Sequence, residues 1–241
     1  MASFFNPMLP VFRSRVRCIL MVIPVFAAAA LIIARSDTRS PSVVWTWSGG
    51  VTADSVIVTA RLGSGIEQAS LRVFSGDTGE KVFDSGPVAA AIDRVVRFKV
   101  DRLSPDTAYR YRIQTEQDAG LEGRFHTFQD GPFSFRIGFA SCATTGSSHR
   151  IFDTLRKQNL KLFIHMGDFH YEDIDRNDPA LFNRAYDRVL TSPRQGHFYR
   201  TTPVAYVWDD HDFGPNDADE TSPSKPAALK TYENVVPHYP L

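Results

Sequence analysis

Asp168 stands directly after the apolar run Leu162-Phe163-Ile164-His165-Met166-Gly167, and Tyr171 follows three residues later. Asp209, Asp210, His211 and Asp212 come straight after Val204-Ala205-Tyr206-Val207-Trp208. Cys142 follows the alternating stretch Phe133 to Phe139. Carboxylate, phenolate, thiolate and imidazole are metal donors, and each set sits where a strand should end. In open α/β sheets that edge is where ligands bind. Consecutive carboxylates repel one another unless a cation neutralises them. The hard oxygens of Asp168 and Tyr171 suit a trivalent ion such as iron, and a bound ion lowers the tyrosine pKa from about 10. Cys142 binds best as thiolate. The chemistry to expect is metal-dependent hydrolysis.

The elements that must present these groups can be read from periodicity. After Asp130-Gly131-Pro132, strands over 133–140, 161–166 and 203–208 alternate with helices over about 148–158 and 179–191. In the second helix Leu181, Ala185 and Val189 share one face, the mark of a helix packed on a sheet. A further helix is predicted from Lys225 to Val236. Only three parallel strands precede Leu241, so the chain is expected to be the front part of a longer domain. Before Asp130, short alternating strands between turns predict a β-sandwich over residues 37–130.

Composition fits a globular protein. Lys plus Arg number 27 and Asp plus Glu 27, so no basic excess points to nucleic acid. The two cysteines, Cys18 and Cys142, do not make a disulfide framework. Arg13, Arg15 and Arg17 precede an uncharged, mostly apolar run from Cys18 to Ala34. Residues 1–36 are therefore expected to be a signal peptide, or an anchor held by residues 18–34. The expected location is periplasmic, cell-surface or secreted, with membrane contact through this segment alone.

Two resemblances follow from these residues. Leu103-Ser104-Pro105-Asp106-Thr107-Ala108-Tyr109-Arg110-Tyr111 resembles the strand entry of fibronectin type III domains, which implies that Tyr109 or Tyr111 forms a tyrosine corner. Cys142, Gly167-Asp168-Phe169-His170-Tyr171-Glu172 and Trp208-Asp209-Asp210-His211-Asp212, taken together and in this order, resemble the alkaline phosphatase D branch of the metallophosphoesterases. That resemblance implies an α/β fold: a β-sandwich followed, over residues 131–241, by the first half of an αββα metallophosphatase domain. It implies Fe3+ on Cys142, Asp168 and Tyr171, with Asp168 bridging to a second site that often holds Ca2+. Asp210 takes the place of a superfamily asparagine, Asp209 and Asp217 are outer candidates, and His211 is the hydrogen-bond donor or general acid at the phosphate. The substrate would be a phosphate monoester or diester. The superfamily draws further ligands from a C-terminal half, and His238 is read as a loop residue.

Other polar groups are expected to be bland. His165 is packed, His170 points away from Tyr171, His149 starts a helix and His197 lies in a loop. Arg184, Arg188, Arg194 and Arg200 are candidate phosphate contacts. The rival to an enzyme is a non-catalytic envelope binding module with a degenerate phosphatase segment. Oligomeric state is not legible in the sequence.

Overall fold

Strands β1 (Val43–Gly49) and β2 (Val56–Leu62) form an antiparallel pair, extended by β5 (Val95–Val100) on the far side of β2. Strands β3 (Gln68–Ser75), β4 (Lys81–Ala89), β6 (Ala108–Gln114) and β7 (Glu122–His126) make a second sheet in the order β4-β3-β6-β7. These elements come from a computed structural model that describes residues 40–91 and 93–241. The expected export or anchor segment lies outside the described residues. Among them, no helix is long and apolar enough to cross a membrane.

Apolar residues at every second position build the core between the two sheets. Val56, Val58, Ala60 and Leu62 face Leu71, Val73, Tyr111 and Ile113, all with essentially no exposure. The Tyr109 hydroxyl accepts a hydrogen bond from the Ser104 backbone N–H at 2.9 Å, which is the tyrosine corner.

The remaining strands are β8 (Ile137–Ala140), β9 (Leu162–Met166) and β10 (Val204–Val207). They pair in parallel, and β10 also runs parallel to β1, meeting it at Gly49 opposite Val204. A single six-stranded sheet, β5-β2-β1-β10-β9-β8, thus crosses the boundary expected near Asp130. Helices α1 (Ile151–Arg156), α2 (Pro179–Leu190), α3 (Gln195–Thr201) and α4 (Lys225–Val235) complete the fold. The chain is α/β, a β-sandwich continued by an α/β segment.

The lateral join explains a pattern that alternation alone does not. Thr59 and Arg61 of β2 point away from the sandwich core, yet both are buried. The Thr59 hydroxyl donates to the Val235 carbonyl at 2.7 Å, and Arg61 donates to Asn183 Oδ1 at 3.0 Å. The Trp45 indole donates to Asp187 at 2.7 Å and that of Trp47 to the Val235 carbonyl at 3.1 Å. Helices α2 and α4 therefore cover the outer face of the sandwich sheet, and these four side chains find acceptors there, as buried polar groups require.

Several boundaries differ from expectation. The first strand begins at Ile137, because Phe133 and Phe135 instead cluster with Phe128 at ring separations of 4.9–5.9 Å. The first helix is shorter, Ile151–Arg156 rather than 148–158. His197 lies in α3, not in a loop.

Candidate metal centre

The three parallel strands bring their C-terminal ends to one edge. Cys142 lies beyond β8, Asp168 beyond β9, and Asp209 to Asp212 beyond β10. The last three residues of this group form a 3-10 turn, Asp210–Asp212.

The loops approach closely at this edge. Gly167 has φ +93°, and a Cβ there would lie 2.4 Å from the Asp209 Cβ and 2.7 Å from its nitrogen. Only glycine admits both the dihedral and the contact. Cys142, Asp168, Asp173 and Asp217 all have φ between 45° and 61°. Positive φ is uncommon for residues with a side chain and concentrates at functional sites. Four such positions meet here.

Asp168 is the hub. It is 6 % exposed. Its Oδ2 accepts from the Tyr171 hydroxyl at 2.8 Å and from Cys142 Sγ at 3.3 Å. Its Oδ1 is buried and has no hydrogen-bond partner. Asp168, Asp210 and His211 each place one donor atom within 4.8 Å of the others. His211 is buried, its ring 4.3 Å from that of Tyr171. Its Nδ1 lies 3.1 Å from Asp173 Oδ1, although the two are not aligned as a hydrogen bond. An unsatisfied buried carboxylate oxygen beside further acidic, thiol and phenol donors fits a hard cation.

Electrostatics at this edge reflect the crowding of acidic groups. The Tyr171 phenol is pushed up by burial and then by its hydrogen bonds and proximity to Cys142 and Asp168. A cation among the same groups would reverse that direction. Burial alone would raise Asp210, but the backbone N–H groups of Asp217 and His211 and the charge of His211 outweigh it and hold the carboxyl below its usual range.

The remaining acids have other neighbours. Asp209 Oδ1 accepts from the Asp210 backbone N–H at 3.0 Å, so this carboxylate caps the 3-10 turn. Asp217 gives its backbone N–H to Asp210 Oδ2 and accepts from Asn216 at 2.7 Å. Beside Asp168, Cys142, Thr144, Thr145, Tyr171, Glu172 and Arg188 line a cleft of about 600 Å³. Arg188 reaches both Glu172 oxygens, at 2.6 and 2.7 Å. Of the four arginines considered as phosphate contacts it alone lines this cleft. Arg194 pairs with Asp153 at 2.9 Å, and Arg184 is exposed on α2.

Asp212, grouped by residue type with the donors, instead holds the site together. It is 1 % exposed. Its carboxylate accepts from the backbone N–H groups of Asp168, Phe169 and Asp209 at 2.7–2.8 Å and from the Tyr206 hydroxyl. The signal lay in the Asp209-x-x-Asp212 spacing, which matches a capping box. Asp173 was passed over.

His165 is 1 % exposed among the rings of Phe163, Phe169, Tyr199 and Tyr206. Burial pushes its pKa down to about 4, against a weaker upward pull from Asp168. The unfolded chain takes up this proton near pH 6.5 and the native chain only near 4. Stability is thus fully present above pH 6.5 and is lost as pH falls through that window, by about 2 kcal/mol at roughly pH 5. Thermal melts of His165→Phe across the window should lose this share of the acid sensitivity; an unchanged pH dependence would show that His165 does not carry it.

No protein-family model matches the chain, and no curated protein matches it. Among solved structures, that of PhoD superposes with a TM-score of 0.68 at 20 % identity, over 83 % of this chain and 47 % of that one. This chain therefore spans about half the length of that structure. Partial likenesses extend to the sensor domain of the anti-sigma factor RsgI4 of Pseudobacteroides cellulosolvens (TM-score 0.31, 14 % identity, 37 % of this chain and 76 % of that). A fibronectin type III domain from human KIAA0970 protein behaves similarly (TM-score 0.29, 13 % identity, 39 % and 77 %). Scores this low carry no argument. With its sandwich, its parallel strands and the donors at their C-terminal edge in one continuous framework, the chain has a PhoD-like fold.

Proposed function

We propose that this chain carries the first half of an exported, metal-dependent phosphoesterase. The observation that supports it most is the buried, unpartnered Asp168 Oδ1 with Cys142, Tyr171, Asp210 and His211 around it, on a PhoD-like fold. Cys142, Asp168 and Tyr171 would hold Fe3+; Asp168 and Asp210 would hold a second ion, Ca2+ by resemblance, with Asp209 and Asp217 outside them. Bound cations supply Lewis-acid stabilisation to phosphoryl transfer. His211, steadied by Asp173 on one side and the Tyr171 ring on the other, donates a hydrogen bond to a phosphoryl oxygen or a proton to the leaving group. Arg188 lines the cleft, one guanidinium nitrogen spanning both Glu172 oxygens, and its remaining N–H groups would be available to a phosphate.

The test is to load the purified full-length protein, this chain together with the C-terminal half the proposal implies, with Fe3+ and Ca2+, determine bound metal, and assay p-nitrophenyl phosphate beside bis-p-nitrophenyl phosphate. Bound metal with hydrolysis of either ester is the expected result. A folded protein that takes up no metal and cleaves neither ester would sink the enzymatic reading and leave the non-catalytic binding module.

A further inference from the structure

At the opposite edge of the parallel strands lies a second cleft, of about 830 Å³. Lys161 immediately precedes β9, and Thr202-Pro203 immediately precede β10. The candidate metal centre lies beyond the other ends of these strands. With β9 five residues long, the two edges are separated by about 17 Å.

Arg110, Arg124, Arg156, Lys157 and Lys161 line this cleft, and no Asp or Glu does. In a chain of 27 basic and 27 acidic residues that is a marked local excess. Three of its groups are partly compensated. Asp106 holds Lys161 and also His126, the latter at 3.1 Å, and Asp153 holds Arg156 at 3.2 Å. Arg110 and Arg124 have no ion-pair partner among the described residues. They stand directly opposite each other on β6 and β7, and directly opposed like charges destabilise a sheet.

Deeper in, His197 has Arg156 Nη1 at 3.1–3.2 Å from its ring nitrogens. Burial lowers its pKa, as do the charges of Arg156, Arg200 and Arg124, while Asp153 opposes them. The Nε atom of Arg156, which lines the cleft, is buried and has no hydrogen-bond partner. A fold that gathers cations and leaves a buried guanidinium donor unmet lacks an acceptor.

We infer that this cleft binds an anion carrying several closely spaced phosphate-type groups. Guanidinium forks favour tetrahedral oxyanions. The volume exceeds what a single phosphate fills and lies within the usual range of ligand sites. A single-stranded nucleic acid does not fit, because it needs exposed aromatic faces for its bases. Tyr109 and Phe125 are each 3 % exposed and stacked on one another at 5.2 Å, and the Tyr109 hydroxyl is already engaged. The chemistry is common to a compact polyphosphorylated molecule and to a segment of a longer polyphosphate-like chain.

The test is calorimetric titration of the 241-residue chain in chelator, so that no metal at the other edge contributes. Tripolyphosphate should bind at least tenfold more tightly than orthophosphate. The double substitution Arg110→Gln with Arg124→Gln should weaken tripolyphosphate at least tenfold, while its melting temperature without ligand stays equal or rises, since a repulsion is removed. Asp168→Asn should leave tripolyphosphate binding unchanged. One-to-one binding of tripolyphosphate marks a compact ligand; tighter binding of long-chain polyphosphate, with several proteins per chain, marks a polymer. Absence of binding, an unaltered affinity in a folded double variant, or loss of binding in Asp168→Asn would each overturn the inference. None of these outcomes bears on metal-dependent hydrolysis.

Discussion

Asp168→Asn should leave the chain folded and strip it of metal. The amide keeps the shape of the carboxylate, and asparagine tolerates the positive φ at this position, 56° in the structure. Its carbonyl oxygen can still accept from Tyr171 and Cys142, which meet the carboxylate at 2.8 and 3.3 Å. What disappears is the negative charge and one hard donor at the centre of the group formed with Asp210 and His211. Metal affinity should fall by more than about 100-fold, measured as metal retained after gel filtration. Ester hydrolysis should fall by roughly 1,000-fold, the equivalent of about 4 kcal/mol of transition-state stabilisation. Asp168→Ala should lose as much metal but also lose stability, because alanine is strained at this φ. Full metal content and turnover in the asparagine variant would remove Asp168 from the centre.

Asp212→Ala should act through the scaffold. Its carboxylate receives three backbone N–H groups and the Tyr206 hydroxyl. Those donors belong to β10 and to the residues just beyond β9 and β10, so one side chain clamps both loops that carry the candidate ligands. Burial pushes its pKa up to about 6, against the pull of the hydrogen bonds from Asp209, Tyr206, Phe169 and Asp168. Removing the acceptor leaves several buried donors unmet at about 1–3 kcal/mol each. Partial relaxation should leave a net loss of about 4 kcal/mol, a drop of roughly 10 °C in melting temperature. Metal should be lost as well, because Asp168 and Asp210 no longer hold their spacing. Asp212→Asn should not rescue, since its amide group would face N–H donors. Wild-type melting in either variant would show that the loops are fixed some other way.

The parts of the fold that were legible in the sequence are those set by local chemistry. Helix α2 announces itself through Asp178 as cap, Pro179 at its first turn and an apolar face at i, i+4 spacing. Tyr109 is placed by its neighbours Leu103-Ser104-Pro105. The strand-end position of Cys142, Asp168 and Asp210 follows from apolar runs that stop where acids begin. Helix α3 was not legible, because Gly196 sits near its start. There the glycine marks close packing rather than a loop: an added Cβ would lie 2.2 Å from the Leu190 carbonyl oxygen. The continuity of β1 with β10 was hidden too, because alternation reports which face of a strand is buried and not which strand lies beside it. For the same reason Thr59 and Arg61 look like solvent positions until α2 and α4 are seen against them. Asp212 reads in the sequence as one more acid of the donor cluster, because its role as a clamp lies in the N–H groups it collects, which side-chain identity does not reveal.

The union of the sandwich with α2 and α4 also has a consequence in time. Trp45, Trp47, Thr59 and Arg61 find their partners at Asn183, Asp187 and Val235, far along the chain. On a ribosome adding about 5–20 residues per second, roughly 5–20 s pass between the synthesis of His126, where the last sandwich strand ends, and that of Val235. Throughout that interval the sandwich can close its own core while its outer face, with two indoles and a guanidinium, stands open to any apolar surface nearby. The nascent chain should therefore be bound by a holdase chaperone while it is shorter than about 235 residues, and be released once α4 has emerged.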